Sequence, residues 1–332
     1  MNADSKQTPF ASLNPDAVLD AVESLGFVCD GRMLALNSYE NRVYQVGLES
    51  AAPLVAKFYR PDRWSDEAIL EEHDFSVELA AAEIPVIPPM LCNGLTLHHF
   101  ANYRFAVFER RGGRWPELGD PDTRKWLGRF LGRIHMCGAS GSYRYRPELS
   151  IQEFGDDARE ALLDEGWIPA HLEEAYDSVT LDLLDLVDQR MEEAGEVAII
   201  RLHGDCHPGN ILWTDGGPHF VDLDDSRMGP AVQDLWMLLS GDRAEMTSQL
   251  ADLLEGYSEF ARFDSRELGL IEALRSLRMI HYAAWLARRW NDPAFPKAFT
   301  WFNTNRFWED HVLSLREQLA DIQEPALRWL GN

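Results

Sequence analysis

The 332-residue sequence predicts an α+β fold in two parts: a small β-rich N-terminal part over residues 1–110 and a larger, mainly helical part over 111–332. Three observations lead there. Short β-rich runs crowd the first third: "NRVYQVG" from Asn41, "PLVAKFY" from Pro53 and "YRFAVFER" from Tyr103. The other two thirds repeat apolar residues at helical spacing. Between them, after Arg110, lies "RGGRWPEL", a Gly-containing connector and the candidate boundary.

Composition fits a folded soluble chain, with 45% hydrophobic and 26% charged residues. The formal net charge of −24 works against nucleic acid and anionic membrane as partners, and no block of Lys or Arg overrides it. Solubility is the ordinary meaning of such acidity; attraction of a cationic substrate is the sharper one. The cysteines, Cys29, Cys92, Cys137 and Cys206, form no Cys-x-x-Cys pair, which fits reduced thiols in a cytoplasm. "MNADSKQTPF" lacks the basic start and apolar stretch of a signal peptide. No apolar run approaches the roughly 20 residues that span a bilayer.

Taken in order, "RMLALNSYE" reads as a strand running into a polar turn. "NRVYQVG" and "PLVAKFY", joined by "LESAA", read as an antiparallel hairpin. A helix is expected from about Ser65 to Glu83, capped by Ser65 or Asp66, with Ala68, Ile69, Phe75 and Leu79 as its apolar stripe. The prolines of "IPVIPPML" end that region before the strand at Tyr103. Trp126, Leu127, Phe130, Leu131 and Ile134 mark one later helix, and Leu181, Leu184, Leu186 and Val187 another, acidic outside. Helical patterns return from Ala231 onward. Between them lies one compact β element: "EVAIIRLHGD" enters a loop, "NILW" leaves it, "TDGG" turns, and "PHFVDL" returns.

That loop, "RLHGDCHPGNILW", admits three readings. His203 and His207 have the four-residue spacing of a helical zinc pair, but Pro208 and Gly209 oppose a helix here. Cys206 with an adjacent His as base is equally poor, because such partners usually come from elsewhere in the fold. The third reading uses the hairpin. Closing it at Asp215, Gly216 and Gly217 brings residues near 210 and 222 side by side, so Asp205, Asn210 and Asp222 can converge although 17 positions separate the outer two. Amide and carboxylate oxygens suit Mg²⁺, and a separate Asp remains to orient a hydroxyl.

"HGDCHPGNILW", "FVDLDD" and "QDLW" together resemble the catalytic segment of the aminoglycoside phosphotransferase and choline kinase-like superfamily, relatives of protein kinases. With "LNSYENRVYQ", "ILEEH" and "AWLARRWNDPAFP", the likeness extends over nearly the whole chain and is closest to the stress response kinase A family (also called YihE or RdoA). It implies a bilobal protein-kinase-like fold, with an N-terminal ATP-binding lobe (1–110) and a C-terminal catalytic and substrate-binding lobe (111–332). It also implies ATP- and Mg²⁺-dependent transfer to an alcohol.

Residue by residue, the resemblance makes Asp205 the catalytic base, and Asn210 and Asp222 the Mg²⁺ ligands, Asp222 also counting as catalytic. Lys57, which strand alternation puts on a face with Val55 and Tyr59, resembles the lysine that contacts ATP phosphates. Its acidic partner is expected to be Glu72, on the inward stripe of the following helix. Glu71 falls with Glu67, Asp74 and Glu78 on a solvated face. Family likeness points to Ser38 as an ATP contact, although "LNSYENRVY" contains no glycine where protein kinases have a glycine-rich loop. By analogy the adenine lies against the connector near Glu109 to Arg111. Asp224 and Asp225 read either as assisting the metal or as solvated, the second being favoured, and Asp234 as a brace for the catalytic loop.

A stress-response serine/threonine protein kinase is the leading expectation, its acceptor a protein (itself included), working as a monomer. The alternative is a small-molecule kinase of the aminoglycoside, choline or homoserine type, with the acidic stretch Glu153 to Asp177 lining a pocket for a cationic alcohol. A non-catalytic ATP-binding regulator is a third reading, which the intact Lys57, Asp205, Asn210 and Asp222 oppose.

Overall fold

A computed structural model of the chain describes residues 9–329. Residues 1–8, which carry most of the stretch expected to lack a signal sequence, and residues 330–332 lie outside the described residues. The chain opens with α1 (Pro15–Glu23), β1 (Cys29–Ala35), β2 (Arg42–Leu48), β3 (Leu54–Phe58), α2 (Asp66–Ala81), β4 (His98–Phe100) and β5 (Tyr103–Glu109). It continues with α3 (Pro121–Gly138), α4 (Asp157–Asp164), α5 (Glu173–Ala194), β6 (Ile200–Arg201), β7 (Ile211–Thr214), β8 (Gly217–Phe220) and β9 (Met228–Gly229). The helices α6 (Gln233–Trp236), α7 (Arg243–Tyr257), α8 (Ile271–Arg288), α9 (Ala294–Ala298) and α10 (Asn305–Asp321) complete it.

The residues form two compact units. The first takes the described residues up to Pro116 together with Tyr143–Arg146 and Gly209–Asp225; the second takes Glu117–Ser142, Pro147–Pro208 and the chain from Ser226 onward. This partition differs from a single cut between residues 110 and 111. The reason is the β7–β8 hairpin, whose backbone pairs with early residues. The Phe220 N–H donates to the Pro85 carbonyl at 2.8 Å, and Arg114 and Trp213 exchange N–H···O bonds of 2.9 and 2.6 Å.

The first unit holds a five-stranded antiparallel sheet in the order β1-β2-β3-β5-β4. Alternation sorts its side chains. Leu54, Ala56 and Phe58 of β3, with Phe105 and Val107 of β5, pack with Val18, Ala21 and Val22 of α1. The other face carries Tyr59 and Ala106 against Ile69 of α2. Lys57, paired in register with Val43 and Ala106, alternates onto this α2 face. Ser65 caps α2, accepting the Ala68 N–H at 3.2 Å, and Ala68, Ile69, Phe75 and Leu79 are all buried.

Helix α1 and strand β4 were not anticipated. "PDAVLDAVE" is a helix of only nine residues, capped at Asn14, and β4 has only three residues. The hairpin turns at Asp215 and Gly216, with the positive φ at Gly217 (108°), where glycine alone is unstrained.

The second unit is mainly helical. Its core joins α4, α5, α8, α9 and α10 through Leu162, Tyr176, Leu183, Ile280, Phe295 and Trp308. Helices α3 and α7 run in close backbone contact, for a Cβ added at Gly128 would collide with the Leu253 carbonyl. Both helices marked by the apolar pattern are present; within them Trp126 and Leu181 are exposed, because the burying faces of α3 and α5 are set by Leu127, Leu131 and Leu184, Val187. The short β6 pairs with β9 rather than with the hairpin.

Candidate active site

In the first unit Lys57 is nearly buried and surrounded by carboxylates. Its Nζ lies 2.9 Å from Asp222, 3.2 Å from Asp224 and 3.6 Å from Glu72. Burial works against the ammonium, but these three charges outweigh it and hold the lysine well above its ordinary pKa. Two of the carboxylates have a second cation each. Arg146 reaches Glu72 Oε2 at 3.1 Å, and Arg63 pairs with Asp224. Arg63 also holds Asp225 at 2.6 Å.

Asp224 is thus 3% exposed rather than solvated. Burial pushes its pKa up, but Lys57, Arg63 and Arg146 prevail and keep it below the usual carboxylate range. Its location corrects the sequence expectation, which had no way to see three cations arriving from residues 57, 63 and 146.

Asp222 does not end the strand. β8 stops at Phe220, and Asp222 follows with φ 60° and a side chain 47% exposed. A non-glycine residue there costs about 1 kcal/mol or more, tolerated best by Asp and Asn, and persists only where its surroundings enforce it. Those surroundings are present. The Val221 N–H donates to the Asn210 carbonyl at 3.0 Å, and the Arg146 guanidinium donates to the Asp224 carbonyl at 2.8 Å. Asn210 therefore sits beside the segment that carries Asp222.

The glutamates of α2 divide sharply. Glu72 faces Lys57. Glu71 is not on a solvated face: it accepts the backbone N–H groups of Arg144, Tyr145 and Arg146 at 2.6, 2.9 and 3.0 Å. It closes a short segment from far along the chain, which a helical wheel cannot foresee.

The glycine-free turn between β1 and β2 is pinned by arginines. Arg60 reaches the Glu40 carboxylate at 2.9 Å and donates to the Glu40 carbonyl at 3.0 Å, and its own N–H donates to Asn41 Oδ1 at 3.0 Å. Arg63 stands 3.8 Å from Glu40, so one guanidinium touches both this turn and the Asp224–Asp225 segment. Ser38 Oγ donates within the turn, to the Asn41 carbonyl at 3.3 Å.

In the second unit, the loop Leu202 to Pro208 is held by Asp234. Its carboxylate accepts the N–H groups of His203 and Gly204, both at 2.8 Å, and lies 3.2 Å from His135 Nε2. Gly204 has φ 86°, so a side chain here would be strained. Asp205 follows, with Oδ1 2.8 Å from Arg278 Nη1 and Oδ2 3.4 Å from His207 Nε2. Burial alone would raise its pKa; His207 and Arg278 reverse that and hold it below the usual carboxylate range. Arg278 was not anticipated, since 73 positions separate it from Asp205 and no local motif marks it. Cys206 is fully buried and its thiol is pushed up by burial and by Asp234 and Asp205, against a nucleophilic role.

A lysine caged by Asp222 and Glu72, and an aspartate on a braced turn, are the furniture of phosphoryl transfer. Residues 33–271 match the phosphotransferase enzyme family, and the chain belongs to that family. It is an enzyme of the kinase class. Within the family it is 46% identical, over 96% of both chains, to stress response kinase A of Escherichia coli (strain K12). It is 44% identical, with the same coverage, to serine/threonine protein kinase RdoA of Salmonella typhimurium (strain LT2).

Among solved structures it resembles amicoumacin kinase hAmiN in complex with AMP-PNP, Ca²⁺ and Ami, with a TM-score of 0.72 at 20% identity over 91% of this chain and 92% of that one. It also resembles choline kinase from Cryptosporidium parvum, with a TM-score of 0.60 at 12% identity over 91% and 96%. At such identities these likenesses establish the fold, the α+β bilobal kinase class expected from sequence. Among the described residues no helix is long and apolar enough to cross a membrane.

Proposed function

We propose that this chain is an ATP- and Mg²⁺-dependent serine/threonine protein kinase of a stress response, acting as a cytoplasmic monomer. The observation that carries the reading is Lys57, held 3.6 Å from Glu72 and 2.9 Å from Asp222 in a chain 46% identical to stress response kinase A. In this assignment the first unit is the ATP-binding part and Lys57 contacts the nucleotide phosphates. Ser38 and the pinned turn around it cover them, and adenine lies against the strand end near Glu109. Asp222 and Asn210 offer a carboxylate and an amide oxygen, a hard donor pair that fits a divalent cation keeping its other positions for water and phosphate. Such an ion supplies charge neutralisation on the transferring phosphoryl group. Asp205 orients the acceptor hydroxyl and takes its proton as the new O–P bond forms and the bond to the leaving ADP oxygen breaks.

Asp205 is already ionised and anchored from two sides, so it offers an oriented acceptor rather than a strong base. Asp234 keeps the turn beneath it rigid. The four cysteines are free thiols, consistent with a reducing compartment.

One observation favours a small-molecule acceptor instead. Only residues 223–232 separate Asp222 from α6, too short for the segment on which protein kinases seat a peptide. Incubation of the enzyme with radiolabelled ATP and cell extract, resolved into protein and small-molecule fractions, decides. Label in protein supports the reading; label confined to a small molecule, or none with Mg²⁺ saturating, overturns it.

A further inference from the structure

The loop bearing Asp205 borders a cavity of about 300 Å³ in the second unit. Arg275 and Arg278 supply its charged wall, His207 an imidazole, Trp236 and Met246 its apolar wall, and Ser240 a hydroxyl. Arg278 and His207 are the same side chains that hold Asp205. The cavity therefore opens directly beside the group assigned to the acceptor hydroxyl, and its chemistry bears on what that acceptor is.

The wall is cationic in a chain whose formal charge is −24. Among the described residues, no lining side chain is a carboxylate. The acids around it are engaged from outside the lining: Glu272 lies 3.3 Å from Arg275, Asp205 lies 2.8 Å from Arg278, and Glu245, beside Gly241, accepts the Asp242 N–H at 2.8 Å. A guanidinium carries five N–H donors in a planar fork, so one that spends a donor on a carboxylate retains others for a second anion. Arg275 is further fixed against the Trp236 ring, its guanidinium carbon 5.6 Å from the centroid, and one of its nitrogens lies 3.5 Å from Met246 Sδ. Such stacking pre-orients the fork and reduces the ordering cost of binding. The helices of Glu153 to Asp177, expected as a wall for a cationic acceptor, contribute nothing to this cavity. A protonated amino alcohol would meet two arginines and no carboxylate among the lining side chains.

We propose that this cavity seats an acidic side chain of the acceptor, so that the preferred substrate is a peptide whose Ser or Thr is flanked by Asp or Glu, gripped by Arg275 and Arg278. The assignment rests on the reading of Asp205 as the group facing the acceptor hydroxyl. It adds a substrate class and explains how so acidic a protein recognises an acidic partner, since two short-range charge-assisted contacts outweigh a screened long-range repulsion.

The test uses peptides of one sequence with a single Ser, flanked by Glu, Gln or Lys, together with an amino alcohol, under radiolabelled ATP. The Glu peptide should exceed the Gln peptide in kcat/KM by about tenfold or more, and the Lys peptide should be poorest. R275E should reverse the order of Glu and Lys peptides, and the milder R275Q should remove the preference, mainly through KM. R275Q also serves if the charge reversal harms folding. Labelling without regard to flanking charge, or a preference for Lys, overturns the cavity assignment and leaves the protein-kinase reading standing. Labelling of the amino alcohol with no labelled peptide overturns both.

Discussion

Replacing Glu71 by alanine removes the acceptor of three backbone N–H groups, those of Arg144, Tyr145 and Arg146. Bonds to a charged acceptor contribute up to about 1.5–3 kcal/mol each when enclosed. Here the first two face solvent, where water takes the place of the lost oxygen; only the bond at Arg146 is partly enclosed. The expected cost is therefore about 1–2 kcal/mol. It falls on one place, because Arg146 leads from this backbone anchor into the cluster. Its guanidinium donates to the Ala68 carbonyl at 2.8 Å, the Asp224 carbonyl at 2.8 Å and Glu72 at 3.1 Å, and lies over Trp64. When residues 144–146 loosen, Glu72 loses its second cation and the grip on Lys57 slackens. KM for ATP should rise by up to about tenfold, which is ~1.4 kcal/mol, with kcat less affected. Denaturant midpoints, hydrogen exchange at residues 143–146 and ATP kinetics measure the three links. Asp74→Ala, an exposed position of the same helix, is the control and should stay within about 0.5 kcal/mol of wild type. A Glu71→Ala protein as stable as that control, with unchanged KM, refutes the reasoning.

Asp205→Asn should bind ATP normally and lose roughly 10²–10⁴-fold in phosphoryl transfer, measured by label incorporation; activity within a few-fold of wild type removes Asp205 from the mechanism. Lys57→Ala and Glu72→Ala should be strongly non-additive in kcat/KM for ATP, because each acts through the same contact; a double-mutant cycle giving additive losses rejects the pair. Lys57→Ala should still fold, since Arg146 and Arg63 each remain beside a buried carboxylate; circular dichroism of an unfolded variant contradicts this. Glu267, which accepts the Val232 N–H at 2.9 Å, is raised by burial from 4.5 to about 7. The folded state then holds this proton more tightly than the unfolded one. Its stabilisation is full below pH 4.5 and is lost as pH rises to about 7, by ~3 kcal/mol. Glu267→Gln should flatten that slope, and melting curves of the two proteins that stay parallel between pH 5 and 8 count against it.

The amino-acid sequence alone determined what local chemistry can encode. Alternation placed Lys57 on the face of β3 that turns toward α2, and the 3.6-residue period separated Glu72 from Glu71. The Asp-Gly-Gly turn announced the hairpin that brings Asn210 and Asp222 together, and motif spacing singled out Asp205. Each of these signals lies within about one element, where sequence distance and spatial distance agree. The tertiary structure decided the rest. It turned Glu71 from a solvated residue into an anchor for residues 144–146, buried Asp224 beneath Arg63 and Lys57, and set Arg278 on Asp205 from 73 positions away. It moved Asp222 off the strand into a left-handed conformation and drew the β7–β8 hairpin into the first unit. All of these depend on charges and backbone groups that meet only after distant segments pack. An isolated Glu, Asp or Arg in a sequence looks the same whether it will face water or a buried partner, because its energy is set by the group that burial brings to it.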